Sequence, residues 1–229
     1  LDDNDFDALS QADYGNRPFT APISIPDAEK HDPKTLLAFH CALIESILKR
    51  HGATLRNLEL TLWGLTIPIA KAVASLPALR ALSIRIEDFP QARSLPRQAA
   101  AMRRSEEREA WGILTDKAIW APKLQALRIE GGELSSVQLS NLLRRSRWCQ
   151  ELWLCRCRLI GKDFWSFVKR DWKHGRAAMR ILGVMRCGGQ MDEDMLDAIG
   201  SLNDLQVSVA VLYPVERTWS CERRGSLTD

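Results

Sequence analysis

Residues 149–159 read CQELWLCRCRL, with Cys149, then Leu152 and Leu154, then Cys157 and Leu159 keeping one apolar phase. Side chains on a strand change face at every residue, so Leu152 and Leu154 share one side and Glu151, Trp153 and Cys155 the other. A single stretch of this kind is a half-buried strand and nothing more. Its cadence, apolar–x–x–apolar–x–apolar, recurs along the chain. The copies are Leu55-Leu58-Leu60, Leu79-Leu82-Ile84, Leu124-Leu127-Ile129, Cys149-Leu152-Leu154, Met179-Leu182-Val184 and Leu202-Leu205-Val207. Their starts lie 24, 45, 25, 30 and 23 residues apart. All but the 45 fall at or near the roughly 20–29-residue period of leucine-rich repeats. The gap of 45 reads as one repeat plus an insertion.

Helix signals fill the spaces between copies. Asp32-Pro33 is a start signal ahead of Leu36, Leu37, His40, Leu43, Ile44, Ile47 and Leu48 at helical spacing, with a stop near Gly52. Ser135 and Gln138 form a capping box ahead of Leu139, Leu142 and Leu143. Lys162–His174 carries Phe164, Trp165, Val168 and Trp172 on one side, and Asp192 caps a helix with Met195, Leu196 and Ile199. Consecutive parallel strands need crossovers, and stacked units bury a continuous core. The pattern therefore predicts an α/β leucine-rich-repeat solenoid, with a parallel sheet on the concave face and helices on the convex face. Its six strands fall near 57–61, 81–85, 126–130, 151–155, 181–185 and 204–208. A doubly wound α/β domain would alternate in the same way, and the strand order separates the two.

The expected organisation is an extended segment over 1–32, a repeat domain over 33–215 with an insertion at 87–118, and a tail over 216–229. Within the insertion, the charged run Arg97–Glu109 predicts a helix projecting from one edge. The chain opens on Leu1 rather than Met, which reads as a piece of a longer protein. No apolar run reaches membrane-spanning length, and no signal-peptide pattern opens the chain. With cysteines placed inside apolar patterns, this predicts a reduced, cytoplasmic or nuclear protein without a membrane partner.

The net charge of +3 is unevenly distributed. Residues 1–15 hold five aspartates and no base, whereas 142–186 hold twelve Lys/Arg against Glu151, Asp163 and Asp171. That stretch is either a solvated helix face or a contact for an acidic partner, protein or nucleic acid. Catalytic signatures are missing. The four histidines lie in no HExxH arrangement, and there is no GxSxG elbow, GxGxxG turn or phosphate-binding GKS/GKT pattern. Cys149, Cys155 and Cys157 lack paired zinc-knuckle spacing, and Cys149 and Cys157 occupy repeat core positions. The expectation is a non-catalytic chain with no cofactor and no metal.

Strand alternation also predicts the face open to a partner. Asn57, Glu59 and Thr61 lie there, followed by Ala81, Ser83 and Arg85, and by Ala126, Arg128 and Glu130. Glu151, Trp153 and Cys155 come next, then Ile181, Gly183 and Met185, and finally Asp204, Gln206 and Ser208. Trp153 stands out among small and polar neighbours, and Trp and Arg are enriched at interface hot spots. The candidate partner site is Arg85, Arg128, Trp153 and Met185, with Arg156 and Arg158 as a basic rim.

Four segments share a further likeness: LIESILKRHGATLRNLEL at 43–60, LPALRALSI at 76–84, APKLQALRIEGGEL at 121–134 and CQELWLCRCRL at 149–159. In this cadence the chain resembles the leucine-rich-repeat region of fungal F-box-like proteins over residues 34–212. The resemblance implies a substrate-recognition module of a ubiquitin ligase subunit. A separate F-box would bind the Skp-type adaptor, and no F-box pattern precedes residue 34, so that role implies an F-box upstream of Leu1. The alternative function is a nucleic-acid-associated or scaffold protein using the basic stretch 142–186.

Overall fold

The computed structural model describes residues 33–87, 96–172, 179–188, 193–202 and 205–211. Strands and helices alternate along it. The elements are α1 (Pro33–His51), β1 (Asn57–Leu62), α2 (Ile67–Ala74), β2 (Ala81–Ile86), α3 (Arg97–Lys117), β3 (Ala126–Glu130), α4 (Ser136–Arg145), β4 (Glu151–Cys155), α5 (Lys162–Phe167), β5 (Ile181–Met185), α6 (Glu193–Gly200) and β6 (Val207–Val211). The strands form one six-stranded sheet in the order β1-β2-β3-β4-β5-β6. Every pairing is parallel. No strand is inserted between consecutive ones, as a doubly wound sheet would require. The fold is a repeat solenoid.

The register stacks the repeated apolar pair into two ladders. Leu58, Leu82, Leu127, Leu152 and Leu182 are successive partners, as are Leu60, Ile84, Ile129, Leu154 and Val184. In β2 to β5 these side chains are at most 2% exposed. They share one core with Ile69, Val73, Trp111, Leu139 and Phe164 from the helices, so all helices with buried faces lie on that side of the sheet. α4 begins with the expected capping box: Ser135 accepts from the Gln138 N–H, and the Gln138 side chain accepts from the Ser135 N–H. α1 stops at Gly52, whose N–H bonds the Leu48 carbonyl at 2.8 Å. The expected caps Asp32 and Asp192 lie outside the described residues, as does His174. After Phe167 the chain widens into a π-type turn over Val168–Trp172, which keeps Val168 and Trp172 buried.

Two expectations need correction. The sixth strand is Val207–Val211, three residues later than the 204–208 that its cadence suggested, because Ile181 pairs with Val207. Leu202 still belongs to the turn that ends α6, with its N–H bonded to the Ile199 carbonyl at 3.0 Å. The true repeat start is Leu205, which follows Leu202 as Leu79 follows the buried Leu76. The second correction concerns the inserted helix. α3 does not project from an edge; it packs between α2 and α4 in the helix layer. Its first half is largely exposed, as its charge demands, but Ala110, Trp111, Leu114 and Thr115 are buried. Glu107 ties it to the turn after β3 by accepting from the Glu133 N–H (2.9 Å) and the Trp111 indole N–H (3.2 Å). Arg145 closes the far end, donating to the carbonyls of Thr115, Asp116 and Ala118.

The turn after each central strand repeats too. The residue following the strand is left-handed at Gly131 (φ 75°), Arg156 (φ 55°) and Arg186 (φ 52°). Cys157 and Cys187 come next and are buried. The Cys157 thiol faces the carbonyls of Ile129 (3.6 Å) and Gly131 (3.7 Å), and Cys187 faces that of Leu154 (3.4 Å). These cysteines fill the position where the repeat needs a donor inside its turn. Only glycine adopts φ > 0 without strain, and other residues carry about 1–2 kcal/mol there. Arg186→Gly should therefore raise stability by about 0.5–1 kcal/mol after the added freedom of the unfolded chain is subtracted. A urea midpoint that falls instead would mean that the Arg186 side chain makes a stabilising contact. Among the described residues, no helix is long and apolar enough to cross a membrane.

Candidate partner-binding site

The face opposite the helices carries the intervening residues of each strand. Their rows follow from the register. The middle row runs Glu59, Ser83, Arg128, Trp153 and Gly183, and the last row Thr61, Arg85, Glu130, Cys155 and Met185. The alternation placed these ten residues of β1 to β5 on the face where the register puts them. In β6 the slipped register makes Val209, not Gln206, the partner of Gly183.

Trp153 is half-buried, and its cover is its own neighbour strand. The indole lies over Gly183, where an added Cβ would come within 1.9 Å of Trp153 Cε3. A glycine inside a strand weakens it unless something approaches closely, and here the ring does. Arg128, the partner of Trp153 across β3 and β4, is exposed. Among the described residues it has no ion-pair partner. Met185 is half-buried in the row below, opposite Cys155.

Arg85 and Arg156 are joined by a residue the sequence reading left without a role. Glu130 accepts from Arg85 Nε at 2.8 Å and from Arg156 Nη2 at 3.2 Å. The two exposed guanidiniums thus flank one half-buried carboxylate and leave a net positive charge at that corner. Arg158 is exposed on the turn after β4 and is not brought into this cluster. Burial and the Glu130 carboxylate push the Cys155 thiol up. The hydrogen bond shared with Cys187, and then burial, hold the Cys157 thiol well above its ordinary value. Protonated thiols are weak nucleophiles, and Cys157 is fully buried among the packed residues of the core.

The described residues of the basic stretch 142–186 do not gather on one face. Arg144 on α4 pairs with Asp171 at 3.0 Å and lies over the Phe167 ring. Arg145 closes α3, and Lys169 pairs with Asp197 at 2.9 Å on the helix side. Arg156 belongs to the Glu130 corner across the sheet. Trp165 and Trp172 of the helical stripe sit as expected. Trp63 meets the His40 ring at a tilt of 40° with centroids 4.8 Å apart, and Trp120, Trp165 and Trp172 are buried. Gly183 and Glu130 were in view in the sequence as face residues. Their roles as ring platform and ion-pair bridge depend on lateral spacing between repeats, which no local pattern carries.

No family model and no curated protein matches the sequence. Among solved structures, the tropomodulin C-terminal domain of Caenorhabditis elegans is similar at a TM-score of 0.41 and 13% identity, over 72% of this chain and 92% of that one.

Proposed function

We propose that the chain is a non-catalytic protein-recognition module that receives its partner on the sheet face around Trp153 and Arg128, opposite the described helices. The observation that carries this is an indole fixed in place on Gly183 beside an exposed guanidinium that has no ion-pair partner among the described residues. A preplaced aromatic loses little freedom on binding, and an adjacent Arg supplies direction to an acidic or carbonyl-rich surface. Through the cadence it shares with fungal F-box-like proteins, we further propose that the module recognises substrates for a ubiquitin ligase and that an F-box upstream of Leu1 recruits the adaptor. On this face a protein partner is preferred over nucleic acid because phosphate contacts need several free cations on one surface, and here Arg85 and Arg156 already share the Glu130 carboxylate.

Affinity purification of the full-length protein, with its upstream segment, should bring down a Skp-type adaptor and a substrate. Trp153→Ala should weaken substrate capture by about 2 kcal/mol or more while leaving the fold intact. Arg128→Glu should weaken it with little cost in stability. Unchanged substrate binding per folded molecule in both variants would remove this face from the proposal. Loss of the adaptor alone would remove the ligase role and leave the recognition module standing.

A further inference from the structure

The edge of the sheet where the strands begin carries a second ladder, distinct from the Trp153 face. One position per repeat, just before each strand, holds Arg56, Arg80, Gln125, Gln150, Arg180 and Gln206. Backbone hydrogen bonds tie them rung to rung. The N–H of Arg80 donates to Arg56 O (2.7 Å), Gln125 to Arg80 O (2.7 Å), Gln150 to Gln125 O (2.8 Å), Arg180 to Gln150 O (2.8 Å) and Gln206 to Arg180 O (2.9 Å). The six residues are therefore a continuous row, all Arg or Gln. Two residues upstream of Gln125 and Gln150 stand Lys123 and Trp148. Trp148 is 63% exposed. Together with Arg80, Pro122, Gln125 and Gln150, these two line a groove of about 260 Å³. Arg147 beside Trp148 is exposed as well. The described residues of this edge hold five cations and no carboxylate; the nearest along the chain, Glu151, begins β4 and lies on the sheet face.

We propose that this edge binds an extended acidic peptide, with its carboxylates on Arg56, Arg80, Lys123 and Arg180 and an apolar side chain against Trp148. The dimensions suit such a chain. Neighbouring strands lie about 4.8 Å apart, so five steps span about 24 Å, the length of roughly seven extended residues. The Gln125 and Gln150 amides can each donate and accept, which matches the N–H and C=O groups of an extended backbone, while Gln206 accepts from Arg180 Nε at 3.2 Å and holds that guanidinium in the row. Charge complementarity selects the acidic sequence. Single-stranded nucleic acid is the poorer fit, because such strands stack successive bases on several aromatic side chains. Among the described residues this edge offers one. The proposal stands apart from the Trp153 face, so either surface can fail without the other.

The test uses the whole chain and a fluorescein-labelled peptide of about ten residues that alternates Glu with small residues around one central Phe. Fluorescence anisotropy should show binding about tenfold or more tighter than for the same peptide with Gln in place of Glu, weakening as salt rises. Arg56→Glu with Arg80→Glu should lower affinity about tenfold or more, and Trp148→Ala should lower it to a similar degree. All three side chains are exposed, so circular dichroism should show an unchanged fold. Arg128→Glu, on the sheet face, should leave the affinity unchanged. Equal binding of the Gln peptide, tighter binding of a ten-nucleotide single-stranded DNA, or an equal loss in Arg128→Glu would each overturn the assignment.

Discussion

Truncating Trp120 to alanine is expected to lower stability by about 3–5 kcal/mol, the range for removing a large buried aromatic. Trp120 is fully buried just before the short 3-10 turn that leads to β3. Its indole N–H donates to the Val73 carbonyl at 2.8 Å. Val73 sits in the last turn of α2, where carbonyls have no partner within the helix. One residue earlier, the Ile119 N–H donates to the Ala74 carbonyl at 3.0 Å. The segment between α3 and β3 thus closes the end of α2 and fills the core in the same two residues. Trp120→Phe keeps most of the bulk and loses the hydrogen bond, while the Val73 carbonyl still accepts from the Leu76 N–H at 3.2 Å, so it should cost about 0.5–1.5 kcal/mol, the net worth of one hydrogen bond. Urea denaturation of both variants separates the contributions. If alanine and phenylalanine cost the same, the hydrogen bond and not the packing is what Trp120 supplies. If alanine costs under about 1 kcal/mol, the surrounding repeats have collapsed into the space.

Five of the six strands were legible because their apolar pairs recur at fixed offsets from the first apolar residue, and stacked repeats leave little room for slippage. The sixth failed for a physical reason. In both the second and the sixth repeat a leucine ends the helix three residues before the repeat start, as Leu76 precedes Leu79 and Leu202 precedes Leu205. In the sixth repeat the intended partners are Ser208 and Ala210, which mark a strand far less clearly than Leu and Ile. Val207 then completed a false copy. The slip had a second consequence: taking Leu202 as the start puts Asn203 in the row before the strands, whereas Leu205 puts Gln206 there and completes the Arg/Gln ladder.

The inserted helix misled in a different way. Arg97–Glu109 is charged enough to read as solvated, and most of it is exposed. What anchors the helix is the short stripe Ala110, Trp111 and Leu114 at its end, joined by the buried edge of Glu107. For the candidate site, alternation alone placed Trp153, Arg128 and Arg85 on one face. It could not show that Glu130 stands between Arg85 and Arg156, or that Trp153 lies down on Gly183. Both depend on side-chain reach across neighbouring strands. Trp148 went unnoticed because it precedes Cys149 outside the strand pattern, where no period marks it.

Gly183→Val should cost about 1–3 kcal/mol in the native chain, yet stabilise a chain that already carries Trp153→Ala. Valine favours a strand over glycine by up to about 1 kcal/mol, so the substitution is intrinsically favourable in β5. Its Cβ would lie within 1.9 Å of Trp153 Cε3 and 2.3 Å of Cζ3, closer than any real contact. The indole must then leave its platform, and overpacking of this kind carries the stated cost. Removing the ring removes the conflict and lets the strand preference show. The sign reversal between the two backgrounds is the coupling energy of the pair, measurable as a double-mutant cycle by urea denaturation. The same cost in both backgrounds would mean that the ring does not rest on Gly183. Partner affinity adds a functional readout to the cycle. If recognition needs the indole where Gly183 holds it, Gly183→Val should weaken partner binding about as much as Trp153→Ala, although the tryptophan is still present. The double variant should then bind no worse than either single one. If Gly183→Val binds like the native chain, the partner takes the ring in any position, and the platform serves the fold alone.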